Sequence, residues 1–470
     1  MIKLVIKKEV RDEVIKALKV AFPTSNCAKG IEKYTKELAG LLLDELSRGV
    51  SNYHIKKGIY RIPLKRLRDY GGAIGPNKKK IHEWLRENNY ELVRTLTRGT
   101  RFTKEYSMVK LTDWVKLKID LSSATPEETF GLRFPKYSKL NDQQITDTYD
   151  LLRVDLISLE KYIQSLALNC KSLKSKEYQN LIRAVLIYDC AKHNNGCYPQ
   201  KKLDPPSIFG RKYYSGISIQ NIKKELRAPV LGDCWEYDIR SCVVTWKLGY
   251  AQKYLDSKKD GTAAAVVDAF LFSYAYVHFK EEIINPIKSS VFINSQLDDV
   301  EQTSLIKEAL TALNFGARLT VYGFVDKFGK SQVPALAKIF TDKQELQRFN
   351  KCGYVSGFLN EQKELDTFIL ADAKQNQPEI FAYPKLRTKT DRKNSKKILS
   401  YLFQHAETDV MNVVRKVASE SNLTLLANIH DAVIFRENIS DAMKEELEAA
   451  MRKHTGNPYW ALGKKQLKGW

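Results

Sequence analysis

Two hydrophobic rhythms alternate along the chain, and the sharpest stretch of the shorter one lies near its end. Thr424 to Glu437, TLLANIHDAVIFRE, sets Leu425, Leu426, Ile429, Val433, Ile434 and Phe435 around a polar His430-Asp431 pair. Bulky and β-branched apolar residues favour strands. The stretch therefore predicts a buried strand, a tight turn carrying His430-Asp431, and a second apolar strand. A carboxylate at the apex of such a hairpin is costly to hold unless positive charge meets it. A divalent cation is one source of that charge, and a second carboxylate should then approach from elsewhere. Asp238, in Trp235-Glu236-Tyr237-Asp238-Ile239-Arg240, sits beside another strand-like apolar run and is the candidate.

Helical periods dominate elsewhere. Ile31 to Leu46 is amphipathic and ends near Gly49. Ile62 to Tyr70 reads as a short basic helix, Gly71-Gly72 with Gly75-Pro76-Asn77 as a turn, and Lys78 to Asn88 as a second helix. Two alternating strands follow, Glu91 to Leu96 and Phe102 to Val109, joined by Thr97-Arg98-Gly99-Thr100-Arg101. Helix, turn, helix and basic-tipped hairpin is the order of a winged-helix module. Lys78 and Lys79 would then face a groove, and Arg98 and Arg101 would meet phosphate. Residues 115–145 are turn-rich, with Pro126 and Pro135, and read as a linker. From Asp142 to His193 amphipathic helices are expected, with Leu151, Leu152, Leu156, Leu159, Tyr162 and Ile163 forming a core stripe. Asn194 to Pro206 breaks them. Ala263 to Phe279 is apolar but holds Asp268 and His278, and reads as a buried helix rather than a membrane span. The expected organisation is a basic, winged-helix-like domain over 1–115, a linker and helical thumb-like region over 116–208, and a catalytic domain over 209–470.

Composition narrows the partner. The 470 residues include 77 Lys and Arg against 55 Asp and Glu, a formal charge of +22. Such an excess suits a polyanion, with nucleic acid first and an anionic membrane surface second. Seven irregularly spaced cysteines point to reduced thiols and an intracellular protein. Cys190, His193 and Cys197 form half of a zinc-like pattern without a fourth ligand at suitable spacing. The opening MIKLVIKKEVRDEV lacks the apolar core of a signal peptide.

Motifs in the second half carry the chemistry. Phe209-Gly210-Arg211 is followed by Gln220-Asn221 in SIQNI, and Asp238 has apolar flanks. Lys307 precedes Phe315-Gly316 by eight positions on one predicted helix. Gln404-His405 runs through Asp409 and Met411 to His430-Asp431. In this order the stretches resemble the GR…LQNIP segment and motifs A, B and C of family A DNA polymerases and bacteriophage-type single-subunit RNA polymerases. The resemblance covers Phe209 to Glu437, about half of the chain. It implies an α+β fold with a right-hand palm and helical fingers and thumb, and two Mg²⁺ ions, for which Mn²⁺ may substitute in such enzymes. Asp238 and Asp431 would be metal ligands, with the Ile239 carbonyl as a further donor. Lys307 would neutralise phosphate charge, Phe315 would stack near the incoming base, and Arg318 would add a phosphate contact. Arg211, Gln220, Asn221, Gln404, His405 and His430 would lie along the primer and template.

Departures from the family pattern bear on the sugar. Val243 stands where the DNA polymerases carry a Glu that excludes a 2′-hydroxyl, and Asp238-x-Arg240-Ser241-x-Val243 is closer to the RNA polymerase pattern. Phe315 replaces the RNA polymerase Tyr, and Ala432 matches neither motif C. Three readings follow: an RNA polymerase or primase, which Val243 favours; a compact DNA polymerase without proofreading; and a non-catalytic replication-initiation DNA-binding protein. The partners implied are a DNA template, a primer or nascent strand and nucleoside triphosphates, in the cytoplasm of a bacterial host if the origin is a phage or plasmid.

Overall fold

The computed structural model describes residues 3–47, 58–75, 77–97, 106–115, 117–120, 147–169, 176–204, 206–258, 265–317, 319–320, 323–325, 331–387 and 394–470. It is a mixed α and β chain divided into two compact units. The first comprises Met1–Asp204, Tyr213–Cys234 and Gln466–Trp470; the second comprises Pro205–Lys212 and Trp235–Lys465.

In the first unit, the helix Cys27–Ser47 is followed by the strand Ile59–Ile62, the helices Leu64–Tyr70 and Ile81–Glu87, and the strands Val93–Thr97 and Ser107–Leu111. The last strand lies between the other two in an antiparallel sheet. The expected helix from Ile62 starts two residues late, because Ile62 pairs with Ser107 and Pro63 takes the position before the first helical residue. Pro fits there because it has no N–H to lose. The expected helix from Lys78 also starts late. Lys79–Lys80 pairs with Ala73–Ile74, and Gly75 and Lys78 take positive φ values of 75° and 47° in the intervening turn. The hairpin tip with Arg98 and Arg101 lies outside the described residues.

The helical stripe expected from Leu151 is corrected. Tyr149–Arg153 is a strand paired with Cys197–Lys202, and the helix begins only at Leu156. Only Val154 and Asp155 separate the two patterns, too closely for a helical period to exclude a short strand. The predicted break after Asn194 accordingly contains a strand, which also pairs with Tyr214–Ser215.

In the second unit, the described part of the apolar run, 265–279, holds two short helices, Val266–Ala269 and Leu271–His278, interrupted at Phe270. Among the described residues no helix is long and apolar enough to cross a membrane. Helices between 266 and 376 pack around Ile283, Ile284, Ile287, Ile306, Leu310, Phe349 and Phe358. The sheet that positions the site runs in the order Leu425–Ile429, Ala432–Phe435, Cys234–Asp238, Lys465–Leu467. Ala432, Val433, Ile434 and Phe435 are all buried, as an inner strand covered on both faces requires. One face packs on the long helix Ser395–Glu420 through Phe403, Val410, Met411 and Val414, and on Trp460 from the following segment.

Candidate active site

Antiparallel register brings the two aspartates together. Trp235 pairs with Phe435, Tyr237 with Val433 and Asp238 with Ala432, the residue after Asp431. Beyond the last pair, the Ile239 N–H donates to the Asp431 carbonyl at 2.9 Å. Asp431 sits in the turn between Ile429 and Ala432, and His430 before it takes a φ of 44°, left-handed for a non-glycine residue. The strand end carrying Asp238 is fixed on its other side as well. The Gly463 N–H donates to the Asp238 carbonyl at 2.6 Å, and the Arg240 N–H donates to the Ala461 carbonyl at 2.9 Å. A Cβ at Gly463 would fall 2.4 Å from Asp238 Oδ1, so any side chain there would push that carboxylate from its position.

The two acids differ in setting. Asp238 is exposed, whereas Asp431 is half-buried. Burial first, and then the charge of Asp238, push the Asp431 carboxyl above the usual range, against Arg211, which pulls it down. Beneath Asp431 lies an acid the sequence reading did not single out. Glu407 occupies the inward stripe of the Ser395–Glu420 helix with Phe403, Val410, Met411 and Val414, and is only 1% exposed. Arg211 answers it with a fork, Nε to Oε1 at 2.7 Å and Nη2 to Oε2 at 2.5 Å, and its guanidinium also lies over the Phe403 ring. Gly210, at φ 78°, lets the chain pass His405, whose ring a Cβ there would meet at 3.1 Å. A carboxylate on an otherwise apolar helix stripe is the signal that would have flagged Glu407.

Cys242 completes this cluster: its sulfur, a Glu407 oxygen and an Asp431 oxygen lie within 4.8 Å of one another. Burial, then Asp431 and Glu407, raise the Cys242 thiol well above its ordinary value, so it stays protonated. A protonated thiol and a carboxylate already held by arginine make a poor metal set. The oxygens of Asp238 and Asp431 are different: hard donors whose mutual repulsion a divalent cation relieves. Oxygen donors of this kind are the type that suits a Mg²⁺-type ion.

Other sequence-derived positions distribute around this centre. Lys307 lies on the helix Asp299–Asn314, half exposed, with Nζ 4.0 Å from Glu281 Oε1. That helix starts at a reciprocal cap between Asp298 and Glu301 and ends at Phe315, whose ring meets Phe403 edge-on at 6.1 Å. Phe315 and Val243 line one cavity of about 480 Å³ with Trp246, Lys247 and Phe403. The adjacent Gly316 carbonyl accepts from Lys396 Nζ at 2.7 Å. Gln404 donates to Ser400 at 2.9 Å, and His405 Nε2 donates to the Ile208 carbonyl at 2.9 Å. Gln220 and Asn221 belong to the first unit, where the Asn221 side-chain Oδ1 accepts from the Ser218 N–H at 3.0 Å. Lys78 and Lys79 are also there, Lys78 exposed and Lys79 paired with Glu87. Arg318 lies outside the described residues.

The Arg211–Glu407 pair yields a test of the support beneath Asp431. Removing one partner of a buried pair costs about 3–5 kcal/mol, so Arg211→Met should lower the urea-unfolding free energy by that order at neutral pH. The Glu407 carboxyl is already raised by burial, and losing Arg211 raises it further. A raised carboxyl favours folding only when protonated, so the deficit should shrink as pH falls toward the ordinary carboxyl range and grow as pH rises through the folded value. Adding Glu407→Leu should restore most of the loss. Equal stability of Arg211→Met and wild type across pH would show that the pair does not hold the cluster.

Neither a protein-family model nor a curated protein sequence matches the chain. Among solved structures it is similar to the POL domain of Pol1 from M. smegmatis, in complex with DNA primer-template and dNTP, at 14% identity and a TM-score of 0.39, over 68% of this chain and 67% of that one. At that distance the likeness assigns no residues, and the chemistry of the site stands on its own geometry.

Proposed function

We propose that this chain is a DNA-templated nucleotidyltransferase that extends a strand from nucleoside triphosphates, with ribonucleotides preferred. The observation that carries this reading is the meeting of Asp238 and Asp431 at adjoining strand ends, in one unit with Lys307 and the Val243–Phe315 cavity. Asp238 and Asp431 would hold the divalent cations, with the Ile239 carbonyl as a further donor. When bound, such cations activate the attacking 3′-oxygen and steady charge on the leaving phosphates.

The chain's own residues supply the rest. Lys307 is exposed enough to reach a phosphate and is only loosely engaged by Glu281 at 4.0 Å. Phe315, 53% exposed at the end of its helix, offers a ring face or edge to a base. Val243 is short, and the cavity between it and Phe315 leaves space that a longer acidic side chain would fill. That space supports acceptance of a 2′-hydroxyl. Arg211, fastened to Glu407, acts in this reading by keeping Asp431 in place rather than by reaching the minor groove.

The N-terminal order of helix, strand, two helices and a hairpin, with the last strand central in the sheet, supports a winged-helix DNA-binding element. In that reading Ile81–Glu87 is the groove-facing helix. Lys78, Lys79 and Lys80 precede it and would contact phosphate.

Extension of a primed DNA template with all four NTPs, and separately with all four dNTPs, tests the activity. NTPs should be incorporated in preference, and Asp238→Ala or Asp431→Ala should each lower the rate at least about 100-fold with template affinity nearly unchanged. Strong dNTP preference would instead make the chain a compact DNA polymerase, and no incorporation with Mg²⁺ or Mn²⁺ would leave a non-catalytic DNA-binding protein. For the N-terminal element, replacing Lys78, Lys79 and Lys80 with Ala should weaken DNA binding on every sequence. The slope of log affinity against log salt should fall by about one unit per lost phosphate contact. An unchanged slope would remove these lysines from the interface.

A further inference from the structure

We propose that Lys280, which no sequence motif points to, is a phosphate-binding residue of the nucleotide site and acts with Lys307 and Arg240 on the triphosphate. This rests on the polymerase reading above.

Lys280 opens the helix Lys280–Val291 immediately after Leu271–His278 and Phe279. Its ammonium lies over the Tyr276 ring, 4.6 Å from the centroid. The Tyr276 carbonyl in turn accepts from the Ser241 hydroxyl at 3.5 Å, three residues beyond Asp238. The residue after Lys280 is Glu281, whose carboxylate lies 4.0 Å from Lys307. These contacts of Tyr276 and Glu281 place the segment that carries Lys280 between the residues just after Asp238 and the helix carrying Lys307.

The charges around Lys280 are of both signs. Lys307 and Arg240 repel its ammonium, while Asp238 and Glu281 attract it. Burial first, and then Lys307, hold it below the usual lysine range. Three cations gathered beside one exposed aspartate and one exposed glutamate exceed what those acids neutralise, particularly once Asp238 is taken up by a divalent cation. A half-buried ammonium in that position is costly until an anion arrives. A triphosphate carries its charge on several oxygens and suits cations presented from separate elements, here the Asp238 strand end, the start of one helix and the middle of another. The tyrosine face meets the ammonium without supplying an oxygen acceptor, and the N–H donors of an ammonium suit phosphate oxygen.

A lysine that serves only as a partner for Asp238 would behave differently. Its loss would alter the dependence on divalent cation and leave nucleotide affinity alone.

Single-nucleotide incorporation by the full chain separates the two roles. Lys280→Met keeps an unbranched aliphatic side chain of similar length while removing the charge. It should raise the nucleotide KM about 10- to 100-fold, the scale of one charge-assisted hydrogen bond. The Mg²⁺ midpoint and primer-template affinity should stay at wild-type values, and Lys280→Arg should recover most of the loss. With wild type active, an unchanged nucleotide KM in Lys280→Met overturns the proposal, and so does an effect confined to the Mg²⁺ midpoint. A wild-type chain that incorporates nothing overturns the polymerase reading instead. Calorimetric titration with inorganic tripolyphosphate then decides Lys280 separately. Binding to wild type that weakens at least about tenfold in Lys280→Met supports the phosphate site, and equal or absent binding overturns it.

Discussion

The pairing of Cys234–Asp238 with Ala432–Phe435 is the constraint on which the site depends. Successive strand residues face opposite sides, so a one-residue slip would move every side chain of the displaced strand to the other face. Tyr237, Val433 and Phe435, all fully buried in one core cluster, make that slip prohibitive. The same register that buries them leaves Asp238 and Asp431 at adjoining strand ends. Hydrophobic packing therefore does work that electrostatics opposes: it holds together two acids that repel each other.

The repulsion is contained rather than removed. Arg211 fastens Glu407 below, and its positive charge also moderates Asp431. Cys242, kept protonated, adds no charge to the cluster. The fully buried acid is thus neutralised internally, while Asp238 remains exposed and Asp431 only half-buried, so the uncompensated negative charge is presented at the surface of the site. Lys280 feels Asp238 and Glu281 as attracting charges and Lys307 and Arg240 as repelling ones, so both signs of charge meet there. In the proposed reading, where the centre takes both a cation and a polyphosphate, that mixture of charges is what the two ligands need.

Much of this was legible in the chain. The hairpin with His430-Asp431 at its turn is where hydrophobic alternation places it, because an inner strand flanked by turn residues has few other readings. Asp238 was identifiable as its partner by its apolar neighbours and the motif it resembles. What pattern could not supply was the support. Glu407 is visible only as a charge on an apolar stripe, and nothing local links it to Arg211 far earlier in the chain. Gly463 matters only because Asp238 lies against it. Lys280 follows an apolar run and looks like an ordinary helix-start cation until its neighbours are assembled. Leu151 and Leu152 were misread as helix because a short strand directly before a helix extends its apolar stripe without breaking the period.

Whether Asp238 and Asp431 jointly bind a divalent cation is tested most directly by a Mn²⁺ titration followed by electron paramagnetic resonance. Wild type should remove the free-ion signal at a low metal concentration, and Asp238→Asn and Asp431→Asn should each weaken that uptake at least about tenfold. If both single variants take up Mn²⁺ as tightly as wild type, the two aspartates do not form a metal site and the catalytic account fails.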